Sequence, residues 1–141
     1  MSDLLRGDFG QYVENRLRTE PLIWMTTVNG KGAPVPSVVW FLWNGSQILV
    51  FSQPDKPKLR NIERNPRVAL NLETTEHGNG VVVLSGTAAV DESGPTPQEW
   101  AAFAEEKYPD DITRIGMTAD EFAATYAVTV RITPDKLRGW A

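Results

Sequence analysis

The sequence predicts a mainly β, α+β fold: six or seven antiparallel strands closed into a small barrel, with short helices. Three observations carry this. Short runs alternate apolar and polar residues, as Val68, Leu70 and Leu72 do against Ala69, Asn71 and Glu73. Turn signals stand between the runs, Asn29-Gly30-Lys31-Gly32 and Asn44-Gly45 among them. No Gly-rich strand-to-helix turn of the dinucleotide type occurs, and strands do not alternate with long helices, which disfavours a doubly wound sheet. Hairpin-joined strands leave many edges, and closing the sheet removes them. With 141 residues, the chain is the size of one domain, residues 1–141.

Phe9, Tyr12, Val13 and Leu17 recur at helical spacing and predict an amphipathic helix from Asp8 to Thr19, ended by Pro21. Three β-like runs follow, Leu22–Val28, Pro34–Trp43 and Gln47–Ser52, most economically an antiparallel meander. A short helix is expected over Pro57–Arg64, with Asp55 or Lys56 near its cap and Asn65-Pro66 closing it. Strands are expected over Arg67–Thr74 and Val81–Val90, separated by the loop Glu76-His77-Gly78-Asn79-Gly80. Thr96-Pro97-Gln98-Glu99 and Thr118-Ala119-Asp120-Glu121 are capping-box signatures, so two helices come next. A strand over Tyr126–Thr133 and a short run Lys136–Trp140 complete the chain.

Composition narrows the chemistry. With 41% hydrophobic and 23% charged residues, the chain is that of a soluble globular protein. The absence of cysteine excludes disulfides, thiolate metal sites and cysteine nucleophiles. One histidine, His77, rules out a His-rich metal centre and disfavours a Ser-His-Asp triad, so no metal is expected. A net charge of −4 argues against a general nucleic-acid binder. Apolar runs well short of ~20 residues span no membrane. The opening Met1-Ser2-Asp3-Leu4-Leu5-Arg6 is too polar for a secretory signal, and the expected location is cytoplasmic.

Charge is least even between Ser52 and Arg67. Lys56, Lys58, Arg60, Arg64 and Arg67 stand at a strand mouth and around a helix N-terminus, where free N–H groups already favour an anion. Ser52 adds a hydroxyl. Two readings stand side by side: a phosphate-type anion site, and a solvated basic helix face. From position 89 to 121 the balance is acidic and reads as a solubilising surface without chemistry. Trp40 and Phe41 point to opposite faces of a strand, so only one of them lines a pocket. Trp40 and Trp43 read as core or subunit-interface packing, Trp24, Trp100 and Trp140 likewise as packing residues, and His77 as a solvated turn residue. No carboxylates are paired in the manner of acid–base catalysis.

Several segments together carry a resemblance. They are Leu22–Val28 with Asn29-Gly30-Lys31-Gly32-Ala33-Pro34, and Pro36-Ser37-Val38-Val39-Trp40-Phe41 leading to Asn44-Gly45. The most specific is Phe51-Ser52 with Lys58-Leu59-Arg60-Asn61-Ile62-Glu63-Arg64-Asn65-Pro66-Arg67-Val68-Ala69-Leu70. The ending Val130-Arg131-Ile132-Thr133-Pro134, then Arg138-Gly139-Trp140, fits as well. Over nearly its whole length the chain resembles the split β-barrel flavin and deazaflavin proteins related to pyridoxamine 5'-phosphate oxidase.

That resemblance implies a split β-barrel and a homodimer with cofactor clefts at the subunit interface. It makes Ser52, Lys56, Lys58, Arg60 and Asn61 candidates for holding the cofactor phosphate. Pro36 and Phe41 stand where the flavin-mononucleotide oxidases carry basic residues, and an Arg-x-His-Arg ending is missing. These departures point to the branch that uses the deazaflavin coenzyme F420, whose phosphodiester and oligoglutamate tail suit a lysine-rich cleft. Pro36, Val38 and Trp40 are then the candidates for an apolar ring slot. The implied activity is hydride transfer between F420 and a small-molecule substrate, with position and water exclusion supplied by the protein. The alternatives are an FMN oxidoreductase using the same cleft and a non-catalytic cofactor- or haem-binding barrel, for which His77 is a poor axial ligand.

Overall fold

Alternating apolar positions build one antiparallel sheet in the computed structural model, which describes residues 4–141. The opening Met1-Ser2-Asp3 lies outside the described residues. Helix α1 (Gly7–Thr19) comes first and buries Val13 and Leu17 completely. Strand β1 (Ile23–Val28) buries Ile23, Met25 and Thr27 and exposes the residues between them more, the period of two that its sequence carries. A hairpin leads to β2 (Pro34–Val39), paired with β1 from Ile23↔Val39 to Val28↔Pro34. Its turn is held by Asn29 Oδ1, which accepts from the backbone N–H of Lys31 and of Ala33 at 3.0 Å each.

The expected strand Pro34–Trp43 is two strands. After β2, residues Trp40 and Phe41 leave the ladder, and β3 (Leu42–Trp43) forms a hairpin with β4 (Ile48–Ser52). The sheet order is β2-β1-β5-β6-β7-β4-β3, so β2 and β3 lie at opposite ends of the curled sheet. The meander expectation therefore fails at this point, and the barrel is split along the line that Trp40–Phe41 crosses. Phe41 finds its partners elsewhere. Its N–H donates to Tyr108 Oη at 3.1 Å, and its carbonyl oxygen accepts from Lys107 Nζ at 2.8 Å. Tyr108 Oη in turn donates to the carbonyl of Pro21 at 2.8 Å, tying the entry of β1 to the crossing point.

Helix α2 (Pro57–Arg64) has the expected bounds, followed by β5 (Arg67–Asn71) and β6 (Val81–Asp91). The two final runs of the sequence form a single strand, β7 (Val128–Trp140), paired along β6. Its register shifts where Ser85 faces Lys136 and Gly86 faces Pro134, leaving Asp135 as the extra residue of a bulge. A bulge is where a strand tolerates proline, and the freed Asp135 forms an ion pair with Arg67.

Between β6 and β7 stand three helices rather than two: α3 (Pro97–Ala101), α4 (Pro109–Arg114) and α5 (Ala119–Thr125). Both expected capping boxes are present, at Thr96 with Glu99 and at Thr118 with Glu121. A wide π-type turn, Ala102–Lys107, joins α3 to α4, with the N–H of Tyr108 reaching back to Phe103 O at 2.9 Å. These helices cover a second apolar cluster built on Leu42, Leu49, Phe103, Tyr108, Ile112 and Phe122. Trp140 departs from its packing expectation: it is 58% exposed, with its N–H bonded to Gly78 O.

Arg131 on β7 fastens this helical segment to the sheet. Its guanidinium donates to Asp91 at 2.6 Å, to Glu99 at 2.7 and 2.9 Å and to Gln47 Oε1 at 3.2 Å. Hydrogen bonding to Arg131 holds the Glu99 carboxyl at a pKa of about 2. A carboxylate with a depressed pKa contributes stability that is present above its unfolded value and lost as pH falls through the folded one. Thermal unfolding followed by circular dichroism is expected to show stability falling from pH 4.5 toward 2. Arg131→Met is expected to cost about 2–3 kcal/mol at neutral pH and to flatten that acid slope.

Candidate functional site

The turn after β4 builds one wall of the site. Ser52 ends the strand, Asp55 takes a left-handed backbone (φ 64°) that short polar residues tolerate, and Pro57 sets the first position of α2. This route places Lys56 and Lys58 side by side at a helix N-terminus, on a cleft of about 460 Å³. Among the described residues they are the charged side chains lining it, so a protein of net charge −4 presents two cations there with no described carboxylate beside them. Burial, and then the neighbouring Lys56, lower the pKa of the Lys58 amine below its ordinary value. An anion beside these amines would relieve both effects. Ser52 is buried, and its Oγ donates to Gln53 O at 2.8 Å.

The opposite wall is apolar. Leu22 precedes β1, Val38 and Val39 come from the end of β2, and Phe51 from β4. Trp40 lies parallel to Tyr108 (4.9 Å, 6°) and to Phe122 (5.6 Å, 7°). Phe103, Ile115, Phe122 and Tyr126 bring the helical segment onto the same cleft, with Phe122 and Tyr126 stacked at 4.4 Å. Leu22, Val38 and Ile115 at its mouth remain 40–45% exposed.

Five of the eight residues singled out from the sequence meet in this cleft: Ser52, Lys56, Lys58, Val38 and Trp40. Three lie outside its lining. Asn61 is buried, donating from Nδ2 to Thr27 Oγ1 at 3.0 Å, so it joins α2 to β1. Arg60 is exposed and reaches back to Asp55 O at 3.4 Å. Pro36 is exposed on β2, two residues before Val38 on the same side of the strand. Arg64 turns toward the β1–β2 hairpin, where a side chain on Gly30 would meet its guanidinium at 2.1 Å.

The sequence reading assigned no chemistry to positions 89–121, yet this stretch supplies Phe103 and Ile115 to the cleft, and Phe122 and Tyr126 follow it directly. Most of its carboxylates are exposed, as expected of a solubilising face. The overlooked signal was the aromatic spacing beneath them. Trp100 and Phe103 stand three apart, Phe122 and Tyr126 four apart, each pair on one helix face.

The family model for pyridoxamine 5'-phosphate oxidase matches residues 9–141. The chain belongs to that family. No curated protein matches it in sequence. Among solved structures, the chain is similar to an F420 reductase at 23% identity, with a TM-score of 0.64 over 89% of this chain and 94% of that one. It is also similar to the Vibrio cholerae haem storage protein HutZ, at 18% identity and a TM-score of 0.68 over 92% of each chain. The conserved hypothetical protein Rv2991 of Mycobacterium tuberculosis is 19% identical, with a TM-score of 0.69 over 99% of this chain and 88% of that one. At these identities the likeness is one of fold.

Within this pyridoxamine 5'-phosphate oxidase family member, the cleft has two chemically distinct halves. One offers lysine ammonium groups and helix N–H groups, the other flat aromatic and aliphatic surface. That division suits an amphipathic ligand with an anionic end and a planar apolar end. Among the described residues no group of three acidic or histidine side chains is placed to hold a metal ion, and no helix is long and apolar enough to cross a membrane. Removing the Asn61 amide leaves Thr27 Oγ1 buried without its donor. Asn61→Ala is therefore expected to lower unfolding stability by about 1–3 kcal/mol in urea titration.

Proposed function

We propose that this protein is an F420-dependent oxidoreductase acting on a small-molecule substrate. The observation that carries the reading is the pairing of Lys56 and Lys58 with a carboxylate-free, aromatic-walled cleft. F420 combines a flat apolar ring with a phosphodiester and an oligoglutamate tail, and these residues fit both parts. Lys56 and Lys58 would hold the phosphodiester, while Val38 and Trp40 would face the ring. The remaining basic side chains, Arg60 and Arg64, stand further along α2 and are available to a flexible acidic tail in solvent. The positions at which FMN enzymes were expected to carry cations do not serve a phosphate here. Pro36 is exposed outside the cleft lining, and Phe41 is fully buried in the core.

The coenzyme, when bound, supplies the carbon that carries the hydride. The chain's part is orientation, electrostatics and exclusion of water. Trp40, Phe103 and Phe122 close the apolar end and lower the local polarity. Tyr126 lines the same cleft, and its Oη makes no hydrogen bond among the described residues, which leaves that proton available to a bound substrate. The single-chain cleft is open at Leu22, Val38 and Ile115, all apolar and each at least 40% exposed. A second copy seated over that rim in a homodimer would complete the enclosure. Trp40 and Trp43 do not contribute to this argument, since both are packed within the chain.

Titration of the purified protein with F420, FMN and haem in separate optical experiments tests the reading. Tight binding of F420 with its absorption perturbed is the expected result; preferential loading with FMN or haem would replace it with the corresponding alternative. Lys58→Ala is expected to weaken F420 binding by about one to two orders of magnitude, the worth of a charge-assisted hydrogen bond. Arg64→Ala is expected to do less, and its effect to vanish at high salt. Sedimentation is expected to give a species of about twice 15.7 kDa. A monomer that retains full F420 affinity would remove the shared-cleft part of the proposal.

A further inference from the structure

The wall of the cleft that carries Trp40 has no strand behind it. Trp40 and Phe41 are the crossing residues of the split sheet, and side chains rather than a neighbouring strand hold the Phe41 backbone. Lys107 Nζ donates to Phe41 O at 2.8 Å and stands 3.6 Å from the centre of the Phe41 ring. Tyr108 accepts from Phe41 N and lies flat against Trp40. Both side chains arrive through the π-type turn Ala102–Lys107, a rare winding that is frequent at functional sites. Lys107 itself faces away from the ligand cleft, on a separate hollow lined also by Arg18, Leu42, Trp43 and Glu106.

We propose that Lys107 is a positioning residue for the apolar slot: its ammonium, through the Phe41 carbonyl, keeps Trp40 parallel to Tyr108 and Phe122, and the shape of the slot follows the charge on Lys107. The claim about Trp40 requires no ligand; its consequence for coenzyme affinity rests on the F420 reading above. A charge-assisted hydrogen bond is about twice as strong as a neutral one, so loss of the proton loosens the clamp without breaking the chain's course. Burial lowers the Lys107 amine to a pKa of about 7, against the opposing attraction of Glu20. The charged and titratable groups around it are Arg18 and Glu20 at the end of α1, Glu106 on its own turn, and Tyr108. Asp111 on α4 bears on Tyr108, whose hydroxyl burial pushes upward. Burial thus brings the charge of this lysine into the neutral range.

Near-ultraviolet circular dichroism of the full chain and of Trp40→Phe, between pH 5.5 and 9, isolates the Trp40 signal as their difference. That signal is expected to fall with a midpoint near pH 7 in the wild type. It should stay at its low-pH value throughout in Lys107→Arg and at its high-pH value throughout in Lys107→Met. His77 is unaltered in all three proteins, so a midpoint surviving in Lys107→Arg would assign the transition elsewhere and overturn the proposal. A Trp40 signal indifferent to pH in the wild type would overturn it as well, and these two proteins suffice should Lys107→Met not fold. F420 affinity measured in parallel is expected to drop about fivefold over the same interval in the wild type and to stay level in Lys107→Arg. Failure of the wild type to bind F420 at any pH would refute the coenzyme reading while the dichroism still decides the role of Lys107.

Discussion

One buried hydroxyl joins the parts of this structure that otherwise have no reason to meet. Tyr108 Oη donates to Pro21, at the entry to β1, and accepts from Phe41, in the crossing from β2 to β3, so the start of β1 and that crossing are referred to one point. The residue is 1% exposed. Burying a phenol without partners would cost several kcal/mol, and burying Phe41 N–H unpaired would add to it; each group satisfies the other. The same ring lies parallel to Trp40, so the staple that closes the sheet also sets a wall of the cleft. The helical segment after β6 is therefore part of the barrel's closure rather than an appendage.

Charge is distributed with the same economy. The acidic side chains of residues 89–121 face solvent or are neutralised at Arg131, which takes both Asp91 and Glu99. Lys56 and Lys58 line the cleft, and among the described residues no carboxylate lines it with them. Lys58 remains there with its charged form disfavoured. A cation left partly desolvated and unpaired is a standing preference for an anionic ligand.

The pyridoxamine 5'-phosphate oxidase family sets the scaffold and leaves the chemistry to side chains. The same fold appears in an F420 reductase and in a haem storage protein, so architecture alone does not select a cofactor. In this chain the cleft is lined by two lysines, Ser52, and aromatic groups that include some from a segment distant in sequence. Tyr126 and the exposed Leu22, Val38 and Ile115 line the same cleft.

By itself the sequence determined a set of features governed by near neighbours. The period of two in Val68, Leu70 and Leu72, the two capping boxes, the proline that opens α2 and the basic turn before it all carry their physics locally, and each stands as read. Tertiary structure decided what depends on partners far along the chain. Pro34–Trp43 reads as one β-like run with no turn signal inside it, and Tyr108 and Lys107, more than sixty residues on, break it at Phe41 by taking over its backbone hydrogen bonds. Asn61 and Lys58 belong to one basic run, yet Thr27 draws the first into the core while the second is left on the cleft. Phe103 and Ile115 reach the cleft from a stretch read for its acidity, because charge reports the face turned to water and not the face turned inward.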